Sequence, residues 1–317
     1  MTTIRRDHGG GIDAARARFG GNRIGWIDLS TGINPLAYPT QPVAQNHWTA
    51  LPDQMASDRL LDAARALWRV PPGAAIIAAP GASALIAQIP GLATPGAVCI
   101  PTPTYNEHAA AFDAHGWTVG TDADAAAQVV VHPNNPDGRF WHDDMLPAPK
   151  ASLTIIDESF CDVAPEKSLI HLATRPGTIV LKSFGKFWGL AGLRLGFAIG
   201  DPALIAALQS RQGPWAVAGP ALDIGTRALS DTIWADATRT RLTQDSARLD
   251  ALMQNADAQV IGGTSLFRLY RVCDAARWQE RLAEHHIWTR IFPYDKEWLR
   301  LGLPHPVQWE RLENALA

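Results

Sequence analysis

The sequence predicts an α/β fold: a large domain on a mainly parallel sheet, followed by a smaller α+β domain. Three observations carry this expectation. Short apolar runs with little or no charge, "AAIIAAP", "AVCIPTP", "QVVVHP" and "LTIIDES", run into Pro, Asn or Asp, as strands buried on both faces do. Helical stretches such as "ASALIAQIPGL" and "NEHAAAFDAHG" lie between these runs, and that alternation is the pattern of a parallel sheet with crossover helices. After Asp201 the character shifts to long runs of helix formers.

Taken in order, the N-terminal "MTTIRRDHGGGIDAARARFGG" has arginines but no apolar core region, so it is read as an arm and not as a secretory signal. The first strand ends at "PGAS", where small residues open a helix, and the second helix is closed by Gly116. "TIVLKSFG" and "RLGFAIG" add two strands. "DPALIAALQSRQ" and the stretch from "ALDIGTRALS" to "DALMQN" read as helices, the second with Arg227, Arg239, Arg241 and Arg248 on a solvated face. "GGTSLFRLYRV", a helix near "DAARWQERLAEHH" and "WLRLGL" complete the small domain. The expected boundaries are an arm over 1–37 that packs with the small domain and the active site, a large domain over 38–212 and a small domain over 213–317.

A chain of 317 residues, 47% apolar and 19% charged, has enough apolar material for a large core. Its net charge of -3 is spread without basic or acidic blocks, which argues against nucleic acid as a partner. The uncharged stretch from Pro71 to Asn106 is cut by Pro80, Pro90 and Pro95 into pieces shorter than the ~20 residues of a spanning helix, so no membrane partner is expected. Cys99, Cys161 and Cys273 fit no metal-ligand spacing and are read as packing residues in a cytoplasmic protein, with no metal expected.

Several residues stand out against this background. Asp157 ends a buried β-branched strand, where α/β sheets place ligand contacts, although a carboxylate there also suits a turn cap. In "HPNNPDG" a polar turn leaves Asn134 and Asn135 able to face a cleft. Lys186 sits in "SFGKFWGLAGLRLG", where it is either a surface lysine or an amine nucleophile whose charge is disfavoured by burial and by Arg194. The planar guanidinium of Arg194 suits a phosphate, and Ser183 and the amides after Gly81 suit the same anion.

The order Gly81-Ala82-Ser83, Pro103-Thr104-Tyr105, Asn135-Pro136-Asp137-Gly138, Asp157-Glu158, Ser183-x-x-Lys186 and Arg194 resembles the fold-type I pyridoxal-phosphate enzymes of the class I/II aminotransferase superfamily. The resemblance implies pyridoxal 5'-phosphate as cofactor, with Lys186 as its covalent tether and proton carrier. It further implies Asp157 on the pyridine nitrogen, Asn135 on the ring hydroxyl and Tyr105 stacked on the ring. Gly81, Ala82, Ser83, Ser183 and Arg194 would hold the phosphate. Two positions depart from the pattern: Phe160 where many relatives have a tyrosine, and Leu51-Pro52-Asp53 where relatives often have Tyr-Pro-Asp. A homodimer is implied in the same way.

Arg300, in "WLRLGL", matches by resemblance the arginine that clamps a substrate α-carboxylate, and Arg290, in "IWTRIFPY", the position that binds a second anion. "DHGGGIDAARARFG" followed by "WIDLSTGINPLAYP" is similar to the threonine-phosphate decarboxylases of cobalamin biosynthesis, through His8, Gly9, Gly10 and Asn34. That similarity implies a phosphorylated amino acid, L-threonine O-3-phosphate, losing CO2 to give (R)-1-aminopropan-2-yl phosphate. An aminotransferase of the histidinol-phosphate type would share every cofactor residue and the phosphate arginine. A non-catalytic scaffold is the reading from a different class, and the joint retention of Lys186, Asp157, Asn135 and Arg194 stands against it.

Overall fold

The structure, a computed structural model, describes residues 8–146 and 152–317, so the first seven residues of the expected arm lie outside the described residues. In chain order the elements are α1 (Ile12–Phe19), β1 (Ile27–Asp28), α2 (Asn46–Thr49), α3 (Gln54–Trp68), β2 (Ala75–Ala79), α4 (Ala82–Gln88), β3 (Ala97–Cys99) and α5 (Asn106–Ala114). β4 (Thr118–Gly120), β5 (Ala127–Val131), β6 (Leu153–Asp157), β7 (Thr178–Ser183), β8 (Gly196–Gly200), α6 (Pro202–Gln212), α7 (Gly219–Ser230) and α8 (Thr232–Asn255) follow. The chain ends with β9 (Gln259–Thr264), β10 (Phe267–Arg271), α9 (Ala275–Glu284), β11 (Ile287–Trp288), β12 (Arg290–Phe292), β13 (Asp295–Gly302) and α10 (Trp309–Leu316).

The chain divides into two compact units. The larger comprises residues 37–135 and 139–237. Its seven-stranded sheet has the order β2-β8-β7-β6-β5-β3-β4 and is parallel except for β8, which runs antiparallel to both β2 and β7. Every residue of β5 and of β8 is buried, which explains why these strands carry no alternation of polar and apolar residues. Ile77, Val98, Val129, Ile155, Ile179 and Leu181 lie in one continuous core, each burial contributing about 1.5–3 kcal/mol. β4 is exposed throughout, so the edge strand lacks the apolar signature of its neighbours.

The smaller unit comprises residues 1–36, 136–138 and 238–317. It holds a four-stranded antiparallel sheet, β12-β13-β10-β9, and a two-stranded parallel pair of β1 with β11. Residues 136–138 belong here because Gly263 N donates to Asp137 O at 2.8 Å and a Cβ on Gly138 would lie 2.0 Å from Gly263 O. Gly138, at φ +74°, is therefore a position that only glycine fills.

The division differs from the expected one. The later boundary falls at 237/238, inside α8, and not at 212/213, because α7 packs with α3 in the larger unit. The run read as one helical stretch from Ala221 to Asn255 is two helices. Asp231 separates them and caps the second, its Oδ1 accepting from Trp234 N at 2.9 Å. Asp53, of the departing "LPD", caps α3 in the same way, accepting from Ala56 N at 2.7 Å.

Candidate active site

The carboxyl edge of the seven-stranded sheet carries a cavity within the larger unit. The chain following β5 brings Asn135 to it, the end of β6 brings Asp157, and β7 with the turn after it brings Ser183 and Lys186. Ala82 and Ser83 enter from the start of α4, Tyr105 from the chain before α5 and Arg194 from the loop before β8. Eight residues picked from the sequence for cofactor binding thus line one space, with Phe160 beside them.

Asp157 lies between Val131 and Leu181 in register and is 2% exposed. Its Oδ2 is 2.8 Å from His108 Nε2, and its Oδ1 accepts from Ser159 N at 3.0 Å and from Ser159 Oγ at 2.5 Å. Burial pushes a carboxyl up, but the bonds from His108 and Ser159 outweigh it and hold Asp157 below the usual carboxylate range. The group is thus an anion at neutral pH in a place from which water is excluded.

Lys186 is half-buried, and its Nζ lies 5.2 Å from the centre of the Phe160 ring. Phe160 is 5% exposed, so the position where many relatives carry a hydroxyl presents an aromatic face to the amine. Lys186 is followed by Phe187 and Trp188, both fully buried, and Trp188 stacks between Phe184 and Trp234. These rings anchor the turn that carries the amine. Asn134 is pinned rather than open to the cleft: its Nδ2 donates to Pro103 O at 3.0 Å and its Oδ1 accepts from Thr104 Oγ1 at 2.6 Å.

Gly81 stands against Arg194. A Cβ on Gly81 would lie 2.6 Å from an Arg194 guanidinium nitrogen, and its φ of +91° disfavours any side chain. Gly196 is equally constrained, since a Cβ there would lie 2.3 Å from Ala82 N. The glycines thus let the guanidinium and the first amides of α4 converge, an arrangement suited to a phosphate. Arg194 adopts a left-handed backbone, φ 53°, and donates to Ala191 O at 3.1 Å.

Beneath the cavity lies a charged cluster that sequence reading does not single out. Lys182 Nζ is 2.6 Å from Glu158 Oε2 and 3.6 Å from Asp162 Oδ1, and all three side chains are buried. Asp162 also accepts from Trp68 Nε1 at 2.9 Å and Trp188 Nε1 at 3.0 Å. Burial disfavours the Lys182 charge, yet Glu158 and Asp162 more than restore it and its affinity for the proton rises. The cluster ties the residue after Asp157 to the residue before Ser183.

His132, Glu158 and Cys161 place ligand-type atoms within 4.8 Å of one another, a grouping that linear spacing hides. Their atoms are committed elsewhere. Glu158 accepts from Ser168 Oγ and Leu169 N besides Lys182, while His132 Nε2 meets Lys167 O at 2.8 Å and Nδ1 accepts from Trp141 N at 3.0 Å. Cys99 and Cys161 are buried as expected of packing residues, whereas Cys273 is exposed.

The smaller unit holds the residues picked for substrate. Arg290 of β12 and Arg300 of β13 are direct partners across an antiparallel ladder, which puts both side chains on one face. Arg300 is 5% exposed and donates to Ser30 O at 2.7 Å. Burial, and then the charge of Arg290, lower its proton affinity to a pKa of about 10. Ser30 Oγ donates to Asp28 Oδ1 at 2.5 Å and accepts from Gly10 N at 2.6 Å, while Trp288 Nε1 donates to Gly10 O at 3.1 Å. His8 and Gly9 are exposed, and a Cβ on Gly9 would lie 2.4 Å from Ser30 O.

Asn34 is 2% exposed, and its Oδ1 accepts from Arg241 at 2.7 Å. The solvated-face reading of the arginines is therefore corrected. Arg241 is engaged with Asn34 and Asp245, Arg227 with Asp223, and Arg248 with Glu313 and the Trp309 ring. Sequence reading also misses His108, Ser159 and Ser30; His108 follows Tyr105 within "TYNEHA", and only the fold reveals Asp157 beside it.

A family model described as aminotransferase class I and II matches residues 26–316. A threonine-phosphate decarboxylase from Sinorhizobium sp is 41% identical, covering 98% of this chain and 97% of that protein. One from Pseudomonas aeruginosa is 37% identical with the same coverage of each. Among solved structures, the histidinol-phosphate aminotransferase from Sinorhizobium meliloti in complex with pyridoxal-5'-phosphate superposes with a TM-score of 0.81 at 18% identity, covering all of this chain and 96% of that one.

Proposed function

The chain belongs to the class I and II aminotransferase family, and on that footing we propose that it is a pyridoxal-phosphate-dependent carboxy-lyase acting on L-threonine O-3-phosphate. The products are CO2 and (R)-1-aminopropan-2-yl phosphate, and the pathway served is cobalamin biosynthesis in the cytoplasm. The observation that carries the substrate is the opposed pair Arg290 and Arg300: two like charges facing across a ladder, one of them buried, are repaid when an anion sits on them.

The cavity fits the cofactor. A carboxylate already held ionised, an amine beside an aromatic face and a guanidinium packed on a glycine that tolerates no Cβ are the donor set that pyridoxal phosphate needs. Asp157 would pair with the protonated ring nitrogen, Asn135 with the ring hydroxyl and Tyr105 with the ring face. Ser83, Ser183 and Arg194, with the amides that follow Gly81, would hold the phosphate, and Lys186 would tether the aldehyde carbon. When bound, the group supplies a ring that takes up the electron pair of a bond broken at the α-carbon.

The chain's own residues then choose which bond breaks. Arg300 takes the α-carboxylate, while Arg290, with His8, Gly9 and Asn34, takes the phosphate and completes the orientation of the substrate. The Cα–carboxylate bond breaks, CO2 leaves, and Lys186 Nζ delivers the proton that forms the new C–H bond. We also propose a homodimer. Trp48, Leu51, Met55 and Trp215 are more than half exposed in the larger unit, an apolar surface that a second copy would cover.

The test is direct. The purified protein with pyridoxal phosphate should turn yellow, give a borohydride-stable adduct that Lys186→Ala abolishes, and release CO2 from L-threonine O-3-phosphate alone. Glutamate formed from histidinol phosphate and 2-oxoglutarate, without CO2 in the first assay, would replace this reading by the aminotransferase one. A colourless protein would favour the scaffold.

A further inference from the structure

We infer that Arg241 is a positioning residue for substrate recognition: it fixes the Asn34 amide so that the NH2 group, and not the carbonyl, is what Asn34 presents to an anion. The inference rests on the reading that Asn34 contacts an anionic group of the substrate. Asn34 Oδ1 accepts from an Arg241 terminal nitrogen at 2.7 Å and from Leu36 N at 3.1 Å. Guanidinium and backbone N–H groups are donors only, so both contacts require an oxygen at that position, and the orientation of the amide is set by chemistry. The rest of the amide is a donor only, the polarity an anion needs.

Arg241 is itself held. Its other terminal nitrogen lies 3.1 Å from Asp245 Oδ2, one turn along α8, with the two side chains 24% and 18% exposed. Asp245, Arg241 and Asn34 form a relay from the surface of α8 to a side chain that is 2% exposed. A cationic donor on the carbonyl oxygen also polarises the amide and strengthens its N–H groups as donors, an effect enhanced away from water. Without Arg241 the buried amide loses both its anchor and part of its polarity.

A double-mutant cycle with a spectroscopic arm tests this. Arg241→Met should raise KM for L-threonine O-3-phosphate about tenfold while kcat stays within about twofold, with Arg241→Lys in between. In an Asn34→Ala background, Arg241→Met should add less than about twofold. The full tenfold rise in that background, or a fall in kcat at constant KM, would overturn the proposal. In protein labelled with 15N-asparagine, the Asn34 NH2 signals should move in Arg241→Met without any substrate present; signals unchanged from wild type would overturn it as well. This second arm stands even if the wild-type enzyme releases no CO2 from threonine phosphate, an outcome that would reject the substrate assignment and leave the relay to the spectra.

Discussion

His108 Nε2 lies 2.8 Å from Asp157 Oδ2, with both side chains 2% exposed, and the contact joins the first turn of α5 to the end of β6. It makes the charge of Asp157 a property of the fold rather than of whatever occupies the cavity. Replacing His108 by Phe keeps the volume but removes a hydrogen bond to a buried carboxylate, at about 1–3 kcal/mol. Cofactor affinity should fall about tenfold or more, read by fluorescence titration of the apoprotein with pyridoxal phosphate. Unchanged affinity would mean that Ser159 alone sets the charge.

The same carboxylate predicts how stability depends on acid. Asp157 has a folded-state pKa below its unfolded value of about 3.9, so it binds protons more readily when unfolded. Its contribution is therefore complete above about pH 4 and is lost as pH falls through the lower folded value. Asp157→Asn should flatten the fall of Tm between about pH 5 and pH 3 relative to wild type, measured by calorimetry. Parallel acid limbs would locate the sensitivity elsewhere.

Lys182 is the only cation that Glu158 meets among the described ion pairs, and Asp162 shares it. Lys182→Met would leave two buried carboxylates facing apolar surroundings, a loss of about 3–5 kcal/mol read in urea unfolding. Adding Glu158→Gln and Asp162→Asn to that variant should recover part of the loss, because the cost lies in the uncompensated charge. A single variant no less stable than wild type would show that the carboxylates simply take up protons.

The legible part of this fold follows from burial. Strands covered on both faces, such as β5 and β8, advertise themselves as uncharged β-branched runs, and the cavity residues at their ends are legible because each needs a particular functional group. Elements that are short or exposed, such as β4 and the pair β1–β11, leave no such run to find. The site's support is illegible for another reason. His108 and Asp157 are 49 positions apart, and Arg241 and Asn34 are 207 apart, so neither pair has a local pattern to betray it. On a helix whose periodicity marks Arg241 as polar, nothing local separates a solvated arginine from one folded back onto a buried amide.

Arg290 and Arg300 set stability against function. They are direct cross-strand partners, and the Arg290 charge helps lower the proton affinity of buried Arg300. Like charges so placed cost up to about 1 kcal/mol, which an anion bound between them would offset. Arg290→Gln should therefore raise the Tm of the substrate-free protein by about 2–4 °C per kcal/mol relieved. The same change should raise KM for L-threonine O-3-phosphate at least about tenfold, since one charged hydrogen bond to the phosphate is lost. Inorganic phosphate separates the two effects. It should stabilise wild type by about 2.7 kcal/mol at a hundredfold excess over its dissociation constant, and the variant much less at that concentration. A variant less stable than wild type without phosphate would mean that Arg290 is held by contacts worth more than the repulsion, and the arginine pair would then not be a site strained for an anion.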